Sequence, residues 1–194
     1  MLPQSLFRMS VPNYVLPIQH RRSLSQMLTN KGDRVGELSF QQPVMLVFLR
    51  HFGCTFCREA LADLSKERSY LEGNMGMKLV LIHMADNALA ERYFQRYDLN
   101  GVAHISDPDC LFYTAFGLTK GNFQQLFGLR SWVRGFEAGI LEGHGVGNRP
   151  LGDGFQMPGI FVLREGEVRE AFIHKLASDR PNYVQLAECC RLPV

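Results

Sequence analysis

The segment Val44-Met45-Leu46-Val47-Phe48-Leu49 is unbroken apolar sequence, and Cys54-Thr55-Phe56-Cys57 follows it after a short break. A run this short, with no polar alternation, reads as a strand buried on both faces, so the chain is restricted to sheets covered by helices on each side. Downstream, Cys57, Ala60, Leu61, Leu64 and Leu71 share one helical stripe, with charge elsewhere. Both cysteines are thereby placed on the turn and first helical turn after a buried strand. Free backbone N–H groups and the positive end of the helix dipole favour a thiolate there. Cysteines spaced i, i+3 at a helix start are close enough to bridge, which points to dithiol–disulfide chemistry.

Composition narrows the classes. The 194 residues suit one domain with some extension, and 46% apolar against 21% charged residues marks a globular chain. A net charge of +2, from scattered Lys and Arg, gives no footprint for nucleic acid. Five cysteines form an odd set without framework spacing, which argues for a reducing compartment over a disulfide-stapled scaffold. Pro3, Gln4 and Arg8 make the N-terminus a poor signal peptide, and no apolar run approaches the roughly 20 residues that cross a bilayer. The expected setting is cytoplasmic, with no membrane partner.

Along the chain, residues 1–40 read as an extension holding Pro3, Pro12, Pro17 and Arg21-Arg22, with a short helix at Ser23–Leu28, and residues 41–194 as the main domain. That domain alternates: strand 44–50, helix 56–72 ended by Gly73-Asn74, strand 78–84, helix 87–97, strand 102–106, and a helix from Asp109 that Asp107-Pro108 starts. The aromatic and Leu series from Phe123 to Phe136 suggests further helices, with Trp132 a candidate homodimer contact. A Gly-rich loop through Gly143, Gly145, Gly147, Gly152 and Gly154 lacks a Walker pattern and reads as a loop near the active site. Ile160–Leu163 and Val168–His174 form a hairpin around Arg164-Glu165-Gly166-Glu167, and a last helix runs from Pro181 to Arg191 with Asp179 as its cap.

Phe52-Gly53-Cys54-Thr55-Phe56-Cys57-Arg58 after an apolar strand resembles the active-site turn of thioredoxins. Met157-Pro158-Gly159-Ile160-Phe161-Val162-Leu163, followed by Glu165-Gly166-Glu167-Val168, resembles the cis-proline strand and hairpin of that fold. Ser106-Asp107-Pro108-Asp109, Tyr113 and Phe116-Gly117-Leu118 are similar to a stretch of AhpC/TSA-type peroxiredoxin-like proteins, in the branch with selenoprotein L-type proteins. The resemblance covers roughly residues 40–190. It implies a thioredoxin-like three-layer α/β sandwich with a mixed central sheet, a redox-active Cys54–Cys57 pair, an antioxidant oxidoreductase activity and a cis bond at Met157–Pro158. Peroxiredoxins carry a Pro and then a Thr or Ser ahead of the peroxide-reactive cysteine. Counted from Cys57 those places hold Arg50 and Cys54, and counted from Cys54 they hold Val47 and His51, so neither register reproduces the motif. The Arg near the cis-proline is replaced by Gln156-Met157.

The leading expectation is a thiol–disulfide oxidoreductase in which Cys54, at the exposed helix start, attacks and Cys57, one turn in, resolves. Arg50 and His51 raise the local positive potential, and Thr55, Phe56, Met157 and Pro158 line the site. Substrates would be a disulfide, thiol or peroxide, with an external thiol reductant and no cofactor, because the sulfurs carry the electrons. A second reading is a peroxidase that oxidises one thiolate to sulfenic acid before the other condenses with it. A third, non-enzymatic reading is a metal module using His51, Cys54 and Cys57, completed by His83 or His174 only through folding. The bland alternatives are two buried cysteines on a helix face, solvated charges at Arg50 and His51, and a trans proline opening an edge strand. Cys110 reads as a structural helix residue, and one of Cys189 and Cys190 as packing inward.

Overall fold

The computed structural model describes Pro17, residues 19–121 and residues 152–190. Its centre is a five-stranded mixed sheet built from β1 (Val44–Phe48), β2 (Lys78–His83), β3 (Ala103–Ser106), β4 (Gly159–Arg164) and β5 (Glu167–Ile173), in the order β3-β2-β1-β4-β5. β1, β2 and β3 run parallel, whereas β4 pairs antiparallel with β1 and β5 antiparallel with β4. The apolar runs are explained by burial on both faces. Met45, Val47, Leu79, Leu81, Ile160 and Val162 face one core, and Val44, Leu46, Phe48, Val80, Ile82, Phe161 and Leu163 face the other.

Helices cover each face. On the first side lie α3 (Thr55–Ser69), α4 (Asn87–Arg96) and α6 (Tyr183–Ala187), through Leu61, Leu64, Phe94, Tyr183 and Ala187. On the second lie α1 (Gln19–Leu24), α2 (Val35–Gln41) and α5 (Leu111–Ala115), through Leu24, Val35, Leu38 and Tyr113. Residues 19–41 are thus packed on the second core. The architecture is the three-layer α/β sandwich with a mixed sheet expected from sequence.

Local chemistry sets most of the boundaries. Helix α3 continues as a π turn at Tyr70–Asn74. Asp107 starts α5, its carboxylate accepting from the backbone N–H groups of Leu111, Phe112 and Tyr113 at 2.9, 2.8 and 3.2 Å. Tyr113 then pins the ends of β1 and β2 by donating from its hydroxyl to the carbonyls of Leu49 (2.6 Å) and Ile82 (3.1 Å). Between β4 and β5, Glu165 (φ 56) and Gly166 (φ 75) make the expected two-residue hairpin turn.

Two local expectations are corrected. The first described helix is Gln19–Leu24 rather than Ser23–Leu28. The closing helix is capped by Asn182, whose side chain accepts from Gln185 N at 2.9 Å, and not by Asp179. Asp179 instead accepts from Lys175 N and Leu176 N at 2.8 and 2.9 Å, tying down the loop before that helix. The series Phe123–Phe136 and Gly143–Gly147 lie outside the described residues. Among the described residues no helix is long and apolar enough to cross a membrane.

Candidate active site

Cys54 is the N-cap of α3 in extended backbone (φ −77, ψ 132), and Cys57 is the third helical residue. No acidic side chain stands in the first turn of α3, so nothing there offsets the positive end of its dipole. Both sulfurs are held by one residue. Arg50 Nη1 donates to Cys54 Sγ at 3.1 Å, while Cys57 Sγ donates to the Arg50 carbonyl at 3.4 Å. Both thiols are free.

The expected exposure of Cys54 is not observed: Cys54 and Cys57 are each only 3% exposed. The cover comes from far along the chain. Arg50, itself 5% exposed, lies across Cys54 and is clamped by its Nη2 to the carbonyl of Gly154. Among the described residues no carboxylate pairs with this buried guanidinium, so its close partners are a sulfur and a carbonyl. A charge buried this way is costly unless the group it touches takes opposite charge.

Gly152 shapes that cover. It sits at φ +102, and a Cβ there would stand 2.9 Å from Met84 Cβ and 3.3 Å from His51 Cβ. Gly152→Ala is therefore expected to cost about 3 kcal/mol, from backbone strain plus overpacking. Urea denaturation checks the loss, and faster alkylation of Cys54 checks the loosened cover.

The other candidate residues are brought to the same neighbourhood in different roles. His51 does not add positive potential. Burial, and then Arg50, lower its pKa to about 4, so it is neutral near pH 7. Thr55 is exposed at the first position of α3, and half-buried Phe56 packs on Met157 and Ala177. No peptide bond among the described residues is cis, so Met157–Pro158 is trans, against the expectation carried by the family resemblance. Trans is the intrinsically favoured form of an X–Pro bond. Here Met157 N–H donates to the Thr119 carbonyl at 3.3 Å, and Gln156 Nε2 donates to the Met157 carbonyl at 3.3 Å. Both backbone groups of Met157 are thus engaged within the chain and do not present an edge to an extended peptide.

Behind Cys57 lies a cavity of about 40 Å³, lined by Arg50, Phe56, Cys57, Pro158, His174 and Tyr183 among others. Burial, and then the neighbouring Cys54, push the Cys57 thiol well above the ordinary range, so it holds its proton at neutral pH. His174 is the residue whose place here was not legible. It follows β5 immediately, and the loop tied by Asp179 reaches α3 through the Arg180–Glu59 ion pair at 2.8 Å.

The remaining thiols are peripheral. Cys110 is a half-buried residue in left-handed backbone (φ 55), its pKa raised to about 11 by burial and then Asp107. Cys190 packs inward and Cys189 is exposed, as expected for one of the pair, with sulfurs 3.4 Å apart. Among the described residues no group of three or more His, Cys, Asp or Glu is placed to share a metal ion. His51, Cys54 and Cys57 are not arranged as ligands, and Arg50 puts a positive charge against the sulfur a cation would need.

No protein-family model matches the sequence, and neither does any curated protein. Solved structures do match in shape. Peroxiredoxin Q of Xanthomonas campestris superposes with a TM-score of 0.54 at 12% identity, over 86% of this chain and 88% of that one. Peroxidoxin BcpB of Mycobacterium tuberculosis gives 0.53 at 14% identity, over 85% and 90%. A cysteine-to-serine mutant of peroxiredoxin 6 of Arenicola marina gives 0.56 at 10% identity over 83% of this chain, which spans 66%, just under two thirds, of that longer protein. At such identities the likeness shows the fold alone: the chain shares the thioredoxin-like α/β fold of these peroxiredoxin structures.

Proposed function

We propose that the chain is a thiol-dependent oxidoreductase in which Cys54 attacks an oxidant and Cys57 resolves the product as a Cys54–Cys57 disulfide. The observation that carries this reading is the contact between the buried Arg50 guanidinium and Cys54 Sγ, at 3.1 Å. A charge-assisted donor fixed on one sulfur stabilises negative charge as that sulfur becomes a nucleophile. Cys57, protonated and bonded to the Arg50 carbonyl, is the complementary partner that reacts second. The guanidinium comes from the residue four places before Cys54, in a chain lacking the usual peroxiredoxin Pro and Thr motif.

Burial favours a small oxidant over a protein disulfide. With both thiols 3% exposed and only a cavity of about 40 Å³ bordering Cys57 and Arg50, the site has room for a hydroperoxide and not for a protein disulfide. The solved structures of similar fold bear peroxiredoxin names, which supports the hydroperoxide arm. An external thiol then returns the disulfide to dithiol, as a reducing cytoplasm would supply, and no organic cofactor is required.

The test is to treat the reduced protein with one equivalent of hydrogen peroxide and map the products by mass spectrometry. The expected product is a Cys54–Cys57 disulfide formed ahead of any change at Cys110, Cys189 or Cys190, and Cys57→Ser should stop at Cys54 sulfenic acid. A pair left reduced while the peripheral thiols oxidise would overturn the assignment.

A further inference from the structure

We propose that Cys189 and Cys190 form a chelating site for trivalent arsenicals, built into the turn that ends the closing helix. The site is separate from the Cys54–Cys57 pair and does not depend on the cycle proposed above. The two residues occupy one 3-10 turn, Glu188–Cys190, that continues α6. Cys189 is exposed, Cys190 is buried, and the Cys189 thiol donates to Cys190 Sγ with the sulfurs 3.4 Å apart.

The turn keeps the two sulfurs together without bringing their backbones into position to bridge. The peptide bond between them is trans, and adjacent Cα atoms across such a bond are about 3.8 Å apart. A disulfide usually spans roughly 4.4–6.8 Å between its Cα atoms. Oxidation to a Cys189–Cys190 disulfide therefore requires the backbone to leave its helical turn. A single atom placed between the sulfurs adds the missing reach and leaves the turn intact.

The spacing selects that atom. At a bond length of about 2.3 Å, that of zinc to thiolate, sulfurs 3.4 Å apart subtend an angle of about 95°. A linear two-coordinate ion, such as monovalent copper, needs them about 4.6 Å apart at the same bond length. Structural zinc takes four ligands, and among the described residues no group of three or more His, Cys, Asp or Glu is placed to hold a metal ion. Trivalent arsenic keeps a lone pair, so its bonds fold back toward right angles. It needs only these two sulfurs beside the group it already carries.

The surroundings favour the reacting form. The hydrogen bond from Cys189 lowers the Cys190 pKa, against burial and with Arg169 and Arg164 assisting, so Cys190 supplies the first thiolate. The same hydrogen bond, and then burial, raise the pKa of Cys189, which brings its proton to the reaction. With a monosubstituted arsenoxide, two arsenic–sulfur bonds form and the bonds from arsenic to oxygen break. The oxygen leaves as water with two protons, those of the dithiol, and nothing is oxidised or reduced. The Cys54–Cys57 pair, each 3% exposed with Arg50 clamped across Cys54, is closed to a ligand of this size.

The test is one equivalent of phenylarsine oxide added to the reduced protein, read by intact mass and by mapping which thiols escape iodoacetamide. One arsenical should bind per chain, protecting Cys189 and Cys190 and leaving Cys54, Cys57 and Cys110 to be alkylated on unfolding. Dimercaptopropanol should remove it, and glutathione at the same concentration should not. Cys189→Ser, at an exposed position that the fold tolerates, should weaken binding about a hundredfold, because a single thiol loses the chelate. In a chain with Cys54, Cys57 and Cys110 replaced by serine, the arsenical should raise the melting temperature, since the folded turn already holds the sulfurs at the required spacing. That rise separates a site made by the fold from mere adjacency in sequence. An unmodified protein, an adduct on Cys54 and Cys57, or undiminished affinity in Cys189→Ser would each overturn the proposal. So would a melting temperature that the arsenical leaves unchanged or lowers.

Discussion

Arg50→Met is expected to slow oxidation of Cys54 by hydrogen peroxide about a hundredfold, and Cys54→Ser to abolish turnover. The serine variant removes the atom that is oxidised. The methionine variant leaves the atom in place and removes what stabilises charge on it, and loss of one fixed electrostatic donor costs roughly a hundred- to a thousandfold in rate. Stability should move the other way or not at all. Arg50 is 5% exposed with no carboxylate partner among the described residues, so replacing it with an apolar chain of similar length removes a buried charge at the expense of its two hydrogen bonds, to Cys54 Sγ and to the Gly154 carbonyl. Arg50→Lys should recover part of the rate, because it keeps the charge but cannot reach Cys54 Sγ and the Gly154 carbonyl with one planar fork. The measurement is the second-order rate of Cys54 oxidation, set beside the melting temperature. A wild-type rate in Arg50→Met would remove the central contact from the mechanism.

What was legible in the sequence was the part governed by local rules. β1, β2 and β4 were readable because strands buried on both faces have no polar alternation, and the cysteine spacing alone put Cys54 and Cys57 on the first turn of α3. Asp107 as a helix start and Glu165-Gly166 as a turn were readable for the same reason, since their partners lie within a few residues. The site itself was legible only as a location. Its burial depends on Gly154, 104 residues from Arg50, and no local pattern records that approach. The neutral state of His51 follows from the same cover. The trans bond at Met157–Pro158 follows the intrinsic preference of an X–Pro bond and departs from the cis bond that the family resemblance implies, and in the fold Thr119 and Gln156 fix both backbone groups of Met157. His174 carries no motif and gains meaning only when β5 returns it to the cavity behind Cys57.

Mild acid is expected to unfold the protein through a pair of histidines that the sequence left unconnected. His83 at the end of β2 and His104 on β3 are both buried, with His83 Nε2 and His104 Nδ1 3.0 Å apart. The Ala85 carbonyl, 2.9 Å from His83 Nδ1, can only accept, so that nitrogen carries the proton and Nε2 accepts from His104 Nδ1–H. His104 Nε2 is then bare, 3.6 Å from Glu91 Oε1, and can take a proton without breaking the row. His83 cannot, because a proton on Nε2 would face the His104 N–H. Burial, and then His104, accordingly lower the His83 pKa to about 3, with the Ala85 carbonyl and Asp86 opposing; His104 is lowered by burial, with Glu91 opposing and Lys31 assisting. The folded value lies below the unfolded value of 6.5, so the unfolded chain binds the proton more tightly. The stability this group contributes is complete above pH 6.5 and is lost progressively as pH falls toward 3. For His83 alone the loss is about 2 kcal/mol at pH 5. His83→Gln can donate to Ala85 and accept from His104 but cannot take up a proton, so its stability should change much less between pH 7 and 5. Equal acid slopes in urea unfolding of the two proteins would assign the acid sensitivity elsewhere. The consequence reaches the thiols, because Phe52 packs between His83 at 5.9 Å and Tyr93 at 4.6 Å, two residues before Cys54.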